Sequence, residues 1–471
     1  MAYQGQISQE VLVDRRLINK YNRAAPRYTS YPTAPHFKEE LLNEQIYRQE
    51  VARVGLEHPN RPLSLYIHIP FCQEECFYCG CNRMITKDRS RSDTYLAALY
   101  QEIDRVGALF DRKKPVVQLH FGGGTPTYLD RLQLQALMEK IRQNFHLLSD
   151  GSGDYGIEVD PREATEGKLA LLYSLGFNRI SFGVQDINIQ VQEAVNRVQP
   201  LALDVRVVNE AREVGFRSIN IDLIYGLPHQ TVASFAETLT TVLDELDPDR
   251  LAVFNFAHLP ELLKNQRKID ADHLPKPDEK LQILEDSIHI LEQRGYVYIG
   301  MDHFGKPDDE LTLAQQQGRL HRNFQGYTTH AECDLVALGV SSISQIGHMY
   351  AQNLKKVHLY QNRINEGNLP VFRGLIMNRD DQIRQKVIMT LMCDFRLSFA
   401  QIEACFDLTF ETYFADALIP LQSMAADGLL TIQDRVIQIT PGGKLLIRNV
   451  CTAFDRYLSP TSTQNNFSQT I

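Results

Sequence analysis

Between residues 63 and 256, six short apolar runs alternate with longer stretches whose apolar residues recur every three or four positions. The runs lie at 63–70, 116–121, 155–159, 179–184, 218–224 and 250–256, and the stretches between them include 94–109, 131–145, 202–214 and 234–246. Strand then helix, repeated six times, buries its apolar surfaces when the helices cross back over a parallel sheet. The steady unit size predicts an α/β fold with a partial or full parallel (β/α) barrel, and the apolar run at 296–301 is read as its extension. All the strand C-terminal ends would then open on one face.

The flanking segments read differently. Residues 1–60 form an N-terminal arm containing the turn-rich run Pro26-Arg27-Tyr28-Thr29-Ser30-Tyr31-Pro32. Residues 61–305 are assigned to the barrel, 306–375 to a barrel extension and connection, 376–458 to a mainly helical C-terminal domain and 459–471 to a flexible polar tail. Within 380–449, helical patterns at 382–393, 399–406 and 413–427 precede two short strands at 429–432 and 436–439, a winged-helix-like order. That order raises DNA binding, but residues 380–448 carry six Lys/Arg against nine Asp/Glu, the wrong sign for a phosphate surface.

The whole chain of 471 residues carries a net charge of −9. No run approaches the roughly 18 consecutive apolar residues that span a bilayer. The sequence therefore predicts a cytoplasmic protein with reduced thiols and with neither a nucleic acid nor a membrane as partner.

The eight cysteines are unevenly spread. Cys72-x-x-x-Cys76-x-x-Cys79-x-Cys81 directly follows the first strand, which Pro70 brings to an end, so four thiols share one loop. Cys333, Cys393, Cys405 and Cys451 are scattered and read as small core residues. A structural zinc site draws ligands from two knuckles, and no second Cys/His pair of that spacing is present. A Cys-x-x-Cys redox pair leaves Cys72 and Cys81 without a task. A cuboidal iron–sulfur cluster fits better, because soft thiolates suit iron and one loop can wrap three corners, leaving one iron open to a further ligand. Zinc, thiol redox and an inert thiol cluster stay open on spacing alone.

The second run ends in His120-Phe121-Gly122-Gly123-Gly124-Thr125-Pro126, where consecutive glycines let backbone approach a ligand. No Lys follows, so this is not a phosphate loop. Later runs end in Glu158 and Asp160, Gln185 and Asp186, Asp222 and Tyr225, and Asn255 and His258. Any one of these suits a helix cap or a satisfied core group. Together, at the converging strand ends of a parallel barrel, they would surround the thiol loop.

The thiol spacing and the glycine turn resemble the radical S-adenosylmethionine superfamily. The added Cys81, the arm from Pro26 to Pro32, Gly300-Met301-Asp302-His303-Phe304 and His321-Arg322-Asn323-Phe324-Gln325-Gly326-Tyr327 narrow the likeness to the oxygen-independent coproporphyrinogen III oxidase (dehydrogenase) family. The resemblance implies that Cys72, Cys76 and Cys79 ligate a [4Fe–4S] cluster, with Cys81 beside it as a non-ligand of catalytic importance. It implies two S-adenosylmethionine molecules, one near Tyr66, Gly123, Glu158 and Ile343, the other near Tyr78, Gly124, Thr125, Gln185, Arg197, Asp222 and Ala257. A 5′-deoxyadenosyl radical would then convert two propionates of coproporphyrinogen III to vinyl groups, giving protoporphyrinogen IX without O₂.

An acidic chain must hold a tetra-anionic substrate by local cations, and Arg27, His303, Arg322 and Arg396 are read as its anchors. The arm and the C-terminal domain are candidates for a lid over the radical site. The resemblance further implies a monomer served by an electron donor and an electron acceptor. The alternatives are a haem chaperone of the same superfamily, a related enzyme acting on another substrate, and a zinc-stabilised regulator. Cys81 and the Tyr-rich arm argue against the chaperone, and the charge balance argues against the regulator.

Overall fold

The computed structural model describes residues 10–458; the first nine residues and the expected tail at 459–471 lie outside the described residues. The chain divides into two compact units. A sheet unit comprises His36–Ile283 and Glu332–Ile376, and a terminal unit comprises the described residues up to Pro35, Leu284–Ala331 and those from Met377 onward. Of the 1–60 segment, the helix Glu44–Glu57 falls in the sheet unit and the helix Arg15–Tyr21 in the terminal unit.

The sheet unit carries β1 (Leu63–Ile69), β2 (Pro115–Gly123), β3 (Asp154–Val159), β4 (Arg179–Gln185), β5 (Ser218–Tyr225) and β6 (Arg250–Asn255). Four further strands are β7 (Asp334–Leu338), β8 (Ile343–Ile346), β9 (Met349–Asn353) and β10 (Val371–Ile376). Their order is β6-β5-β4-β3-β2-β1-β7-β8-β9-β10. Pairing is parallel from β6 through β7 and antiparallel from β7 onward. The expected parallel (β/α) run is thus present as a partial barrel, continued by an antiparallel meander.

Local chemistry explains these elements. In the helix Arg131–Asn144, Asp130 and Gln133 form a reciprocal capping box, and Leu134, Leu137, Met138 and Ile141 make the buried stripe. Gly215, at φ +108°, ends the helix Leu201–Val214 in the left-handed region that glycine adopts without strain. On β3 and β4, buried and half-exposed residues alternate. Ile157, Val159, Ile180, Phe182 and Val184 point into the core. Gly156, Glu158, Ser181, Gly183 and Gln185 share the other face.

The run at 296–301 supplies the strand Val297–Gly300. Val297–Gly300 folds back on His303–Gly305 as an antiparallel hairpin and groups with the terminal unit. Two residues separate those strands, which makes the connection a tight turn.

In the terminal unit, the helices Arg379–Asp394, Phe399–Phe406 and Ala415–Asp427 precede the strand pair Leu430–Gln433 and Val436–Ile439, as the sequence predicts. A third strand, Arg396–Ser398, joins that pair. It is three residues long, too short to carry a visible alternation. The arm is pinned within this unit: Tyr28 donates to Asp455 at 3.0 Å, and Tyr31 accepts from the Arg456 N–H at 3.1 Å.

Candidate active site

The thiol loop closes on its own start. Phe71–Cys72 pairs in parallel with Met84–Ile85, and the Thr86 N–H donates to the Cys72 carbonyl at 3.0 Å. Inside that closure the peptide groups of the loop are tied down from distant elements. Asn265 donates to the carbonyls of Phe77 and Cys79 at 2.8 and 2.9 Å, and Gln266 to that of Tyr78 at 3.0 Å. Arg83 reaches back to the carbonyls of Cys79 and Cys81.

Donors also face the sulfurs. Thr125 Oγ1 lies 3.4 Å from Cys72 Sγ, Arg197 Nη1 3.6 Å and Arg162 Nη2 3.8 Å from Cys76 Sγ, and the Cys81 N–H 3.5 Å from Cys79 Sγ. Burial pushes the Cys72 thiol up to about 11. The Cys81 side chain, and then Arg83, hold Cys79 below the ordinary thiol range.

The glycine turn seats against this loop by backbone contact. The Gly124 and Thr125 N–H groups donate to the carbonyls of Ile69 and Phe71, both at 2.8 Å. A Cβ on Gly124 would meet the Phe71 carbonyl oxygen at 2.8 Å, and one on Gly123, at φ +120°, would meet the His68 ring at 2.6 Å. The Gly123 N–H donates to Glu158 Oε2 at 3.0 Å, while Glu158 Oε1 lies 3.3 Å from His120 Nε2.

The strand ends complete the wall. Arg197, 6% exposed, donates to Asp160 at 2.9 Å and to the Gly183 carbonyl. Asp160 is held well below the usual carboxylate range, because Arg197 and Arg162 outweigh its burial. Asp222 accepts from Asn220 at 2.8 Å and from Ser181 at 3.1 Å. Burial, the largest effect, raises its carboxyl to about 6.

Cys72, Cys76, Cys79, Cys81, Tyr78, Gly123, Gly124, Thr125, Glu158, Gln185, Arg197 and Asp222 all line one cavity of about 540 Å³. The other three expected contacts lie outside that lining. Tyr66 is on β1, its hydroxyl 3.1 Å from His68 Nδ1 and its ring stacked on His120. Ala257 accepts from Gln266 through its carbonyl, and Ile343 begins β8 opposite Gln352.

The residues fit an iron–sulfur cluster with a polar ligand beside it. Three thiols on one loop face a single cavity, each sulfur has a nearby N–H or O–H, and carboxylates and glycine backbone share the wall. Among the described residues, no three His, Cys, Asp or Glu side chains are arranged to hold a single metal ion.

Arg27, His303, Arg322 and Arg396 lie in the terminal unit. Arg27 pairs with Asp302, and both Arg322 and His303 pack on the Tyr327 ring. Arg396 stands opposite Gln438 in the C-terminal sheet and takes part in none of these contacts. The sequence reading did not single out Arg83, Arg162, Asn265, Gln266, His68 and His120 as site members. For His68 the signal was its position two residues after Tyr66 on the same strand face. For His120 it was its place two residues before the glycine run.

Among protein families, the Radical SAM superfamily matches residues 66–242 and the HemN C-terminal domain matches residues 377–446. The chain is 51% identical over 459 residues to the oxygen-independent coproporphyrinogen III oxidase of Pseudomonas aeruginosa, covering 97% of this chain and 98% of that protein. It is 51% identical over 463 residues to the one from Escherichia coli K12, covering 98% and 99%. A solved structure, described as coproporphyrinogen III oxidase (HemN) from Escherichia coli and a radical SAM enzyme, superposes with a TM-score of 0.90 at 50% identity, over 95% of this chain and 100% of that one.

Proposed function

The chain belongs to the oxygen-independent coproporphyrinogen III oxidase family of radical SAM enzymes, and from that premise we infer that it decarboxylates coproporphyrinogen III oxidatively without O₂. Two propionates become vinyl groups and protoporphyrinogen IX is formed, a step of haem biosynthesis. The observation that carries this reading is the single cavity shared by the Cys72–Cys76–Cys79 loop, the glycine turn and the strand-end carboxylates.

The family's cofactors are a [4Fe–4S] cluster and S-adenosylmethionine, two molecules of the latter, which when bound supply a carbon radical that takes hydrogen from an unactivated C–H bond. Cys72, Cys76 and Cys79 would hold the cluster, with Thr125, Arg162 and Arg197 donating toward the sulfurs and easing the build-up of negative charge there. Cys81 acts beside the cluster without ligating it.

Tyr66, Gly123, Glu158 and Ile343 would contact the first S-adenosylmethionine, and Tyr78, Gly124, Thr125, Gln185, Arg197, Asp222 and Ala257 the second. Support comes from the chemistry of the wall. Glycine backbone admits close approach. Asp222, oriented by Ser181 and Asn220, keeps lone pairs for a ribose hydroxyl or an ammonium group. Asp160 and the Gly183 carbonyl preset the Arg197 fork.

Among the described residues no helix is long and apolar enough to cross a membrane. We take the protein to act as a cytoplasmic monomer with its own electron donor and acceptor, and gel filtration of the loaded protein tests the monomer. The decisive experiment is anaerobic. Protein reconstituted with iron and sulfide receives S-adenosylmethionine, a reductant and coproporphyrinogen III, and should yield CO₂, 5′-deoxyadenosine and protoporphyrinogen IX. An intact cluster without turnover would sink the reading.

A further inference from the structure

In the terminal unit three guanidiniums gather, with Asp302 as a carboxylate among them. Arg27 forms an ion pair with Asp302. Arg448, 2% exposed, donates to the carbonyls of Ala25 and Pro26, the two residues before Arg27. Arg322 stands opposite Tyr327 in the hairpin His321–Asn323/Gly326–Thr328, its guanidinium 4.7 Å from the centre of that ring.

The same ring gathers the neighbouring turn. His303, the residue after Asp302, packs edge-on to Tyr327 with centroids 5.5 Å apart, and a Cβ on Gly300 would collide with the Tyr327 hydroxyl. Burial pushes the Arg448 guanidinium down to about 10, and Arg27 and then Arg322 act in the same direction. Arg27, Arg322 and Asp302 thus all lie within electrostatic reach of Arg448.

Arg322 is the informative member. It is only 4% exposed, yet its buried Nε and Nη1 make no hydrogen bond, and no carboxylate among the described residues pairs with it. Buried polar groups are ordinarily paired, and a guanidinium is charged at every relevant pH. Its planar fork matches a carboxylate better than any other common anion in a tetrapyrrole substrate.

Resting on the coproporphyrinogen reading above, we propose that Arg322, flanked by Arg27 and Arg448, receives a propionate carboxylate of the substrate, with Asp302 as the internal carboxylate that competes for Arg27. Arg448 is thereby a substrate-positioning residue that the sequence alone does not suggest. Asp302 sets how much of the cationic cluster is open to the ligand.

The test measures binding to the cluster-loaded protein by fluorescence quenching, with coproporphyrin III as the stable tetra-acid and its tetramethyl ester as the uncharged control. Wild type should favour the tetra-acid. Arg322→Gln should weaken the tetra-acid tenfold or more and leave the ester unchanged, Arg322→Lys should fall between, and Asp302→Asn should tighten the tetra-acid severalfold. Tetra-acid binding within twofold of wild type in Arg322→Gln, with cluster absorbance and S-adenosylmethionine binding intact, would overturn the proposal, as would equal losses for acid and ester. If Arg322→Gln does not fold, Asp302→Asn decides alone, and unchanged or weaker tetra-acid binding there overturns it. Loaded wild type that binds the tetra-acid tightly but releases no CO₂ counts against the decarboxylation reading instead, so the two failures are separable.

Discussion

The Asn265 side-chain amide donates to the Cys79 carbonyl at 2.9 Å across 186 residues of sequence. A short helical turn after the sixth strand thus fixes the peptide beside one expected iron ligand, and a second bond from the same nitrogen, at 2.8 Å, fixes the Phe77 carbonyl.

Asn265→Ala removes these two bonds, with a longer contact to the Cys76 carbonyl at 3.5 Å, and leaves the Phe77 and Cys79 carbonyls to find water. At about 1 kcal/mol for each bond, the thiol loop should open roughly ten to thirty times more readily. Iron should leave the reconstituted variant faster under a chelator by about that factor, read from the loss of cluster absorbance. A chelation rate equal to wild type would show that the closure between Cys72 and Ile85 suffices.

Gly124→Ala sets a methyl against the Phe71 carbonyl oxygen, and backbone on both sides gives it nowhere to go. The glycine turn must back away from the thiol loop, at a cost of about 1–3 kcal/mol by overpacking. Thermal unfolding should move down by several degrees and S-adenosylmethionine binding should weaken together with it. Gly55→Ala, in the helix Glu44–Glu57 with no neighbouring atom within 4 Å, serves as the control: helix propensity should hold or raise its unfolding temperature, and S-adenosylmethionine binding should not change.

Asp222 carries the pH dependence of cofactor affinity. Burial raises its carboxyl to about 6, so above that pH it is ionised and ready to accept hydrogen bonds, and below it a proton must first be removed. S-adenosylmethionine affinity should therefore be flat above pH 7 and fall by about tenfold per unit below 6. Titration calorimetry on Asp222→Asn should show weaker binding at pH 7.5 and a flatter profile; a profile as steep as wild type would acquit this carboxylate.

Glu102 carries a pH effect on stability. It is fully enclosed, accepting from the Gly339 N–H and Asn353 at 2.8 and 2.7 Å and from Tyr360 at 2.5 Å, and burial raises its carboxyl to about 7 from an ordinary 4.5. A carboxyl whose folded value is raised stabilises the fold fully below 4.5 and loses that contribution as pH climbs through 7. The loss amounts to roughly 3 kcal/mol at most. Thermal midpoints between pH 4.5 and 7.5 should decline in wild type and decline less in Glu102→Gln.

Much of this architecture was legible because it is local. Each βα unit announces itself through its own periodicity, and the observed strands Arg179–Gln185 and Ser218–Tyr225 begin where the apolar runs do. The apolar run at 296–301 is visible in the sequence but its hairpin with His303–Gly305 is not, because an apolar run does not reveal whether the chain next crosses over or turns back. The third C-terminal strand, Arg396–Ser398, was invisible for want of length.

By itself the sequence determined the thiol spacing, the glycine turn and the alternation that brings strand ends to one face, since each follows from residues a few positions apart. Tertiary structure alone decided that Asn265 and Gln266 clasp the thiol loop, that Asp160 presets Arg197, and that Arg322 is buried with its Nε and Nη1 lacking hydrogen bonds. The physical reason is that burial and hydrogen-bond partnership depend on which distant segments the sheet order and core packing bring together. A side chain's own neighbours in sequence carry no record of that.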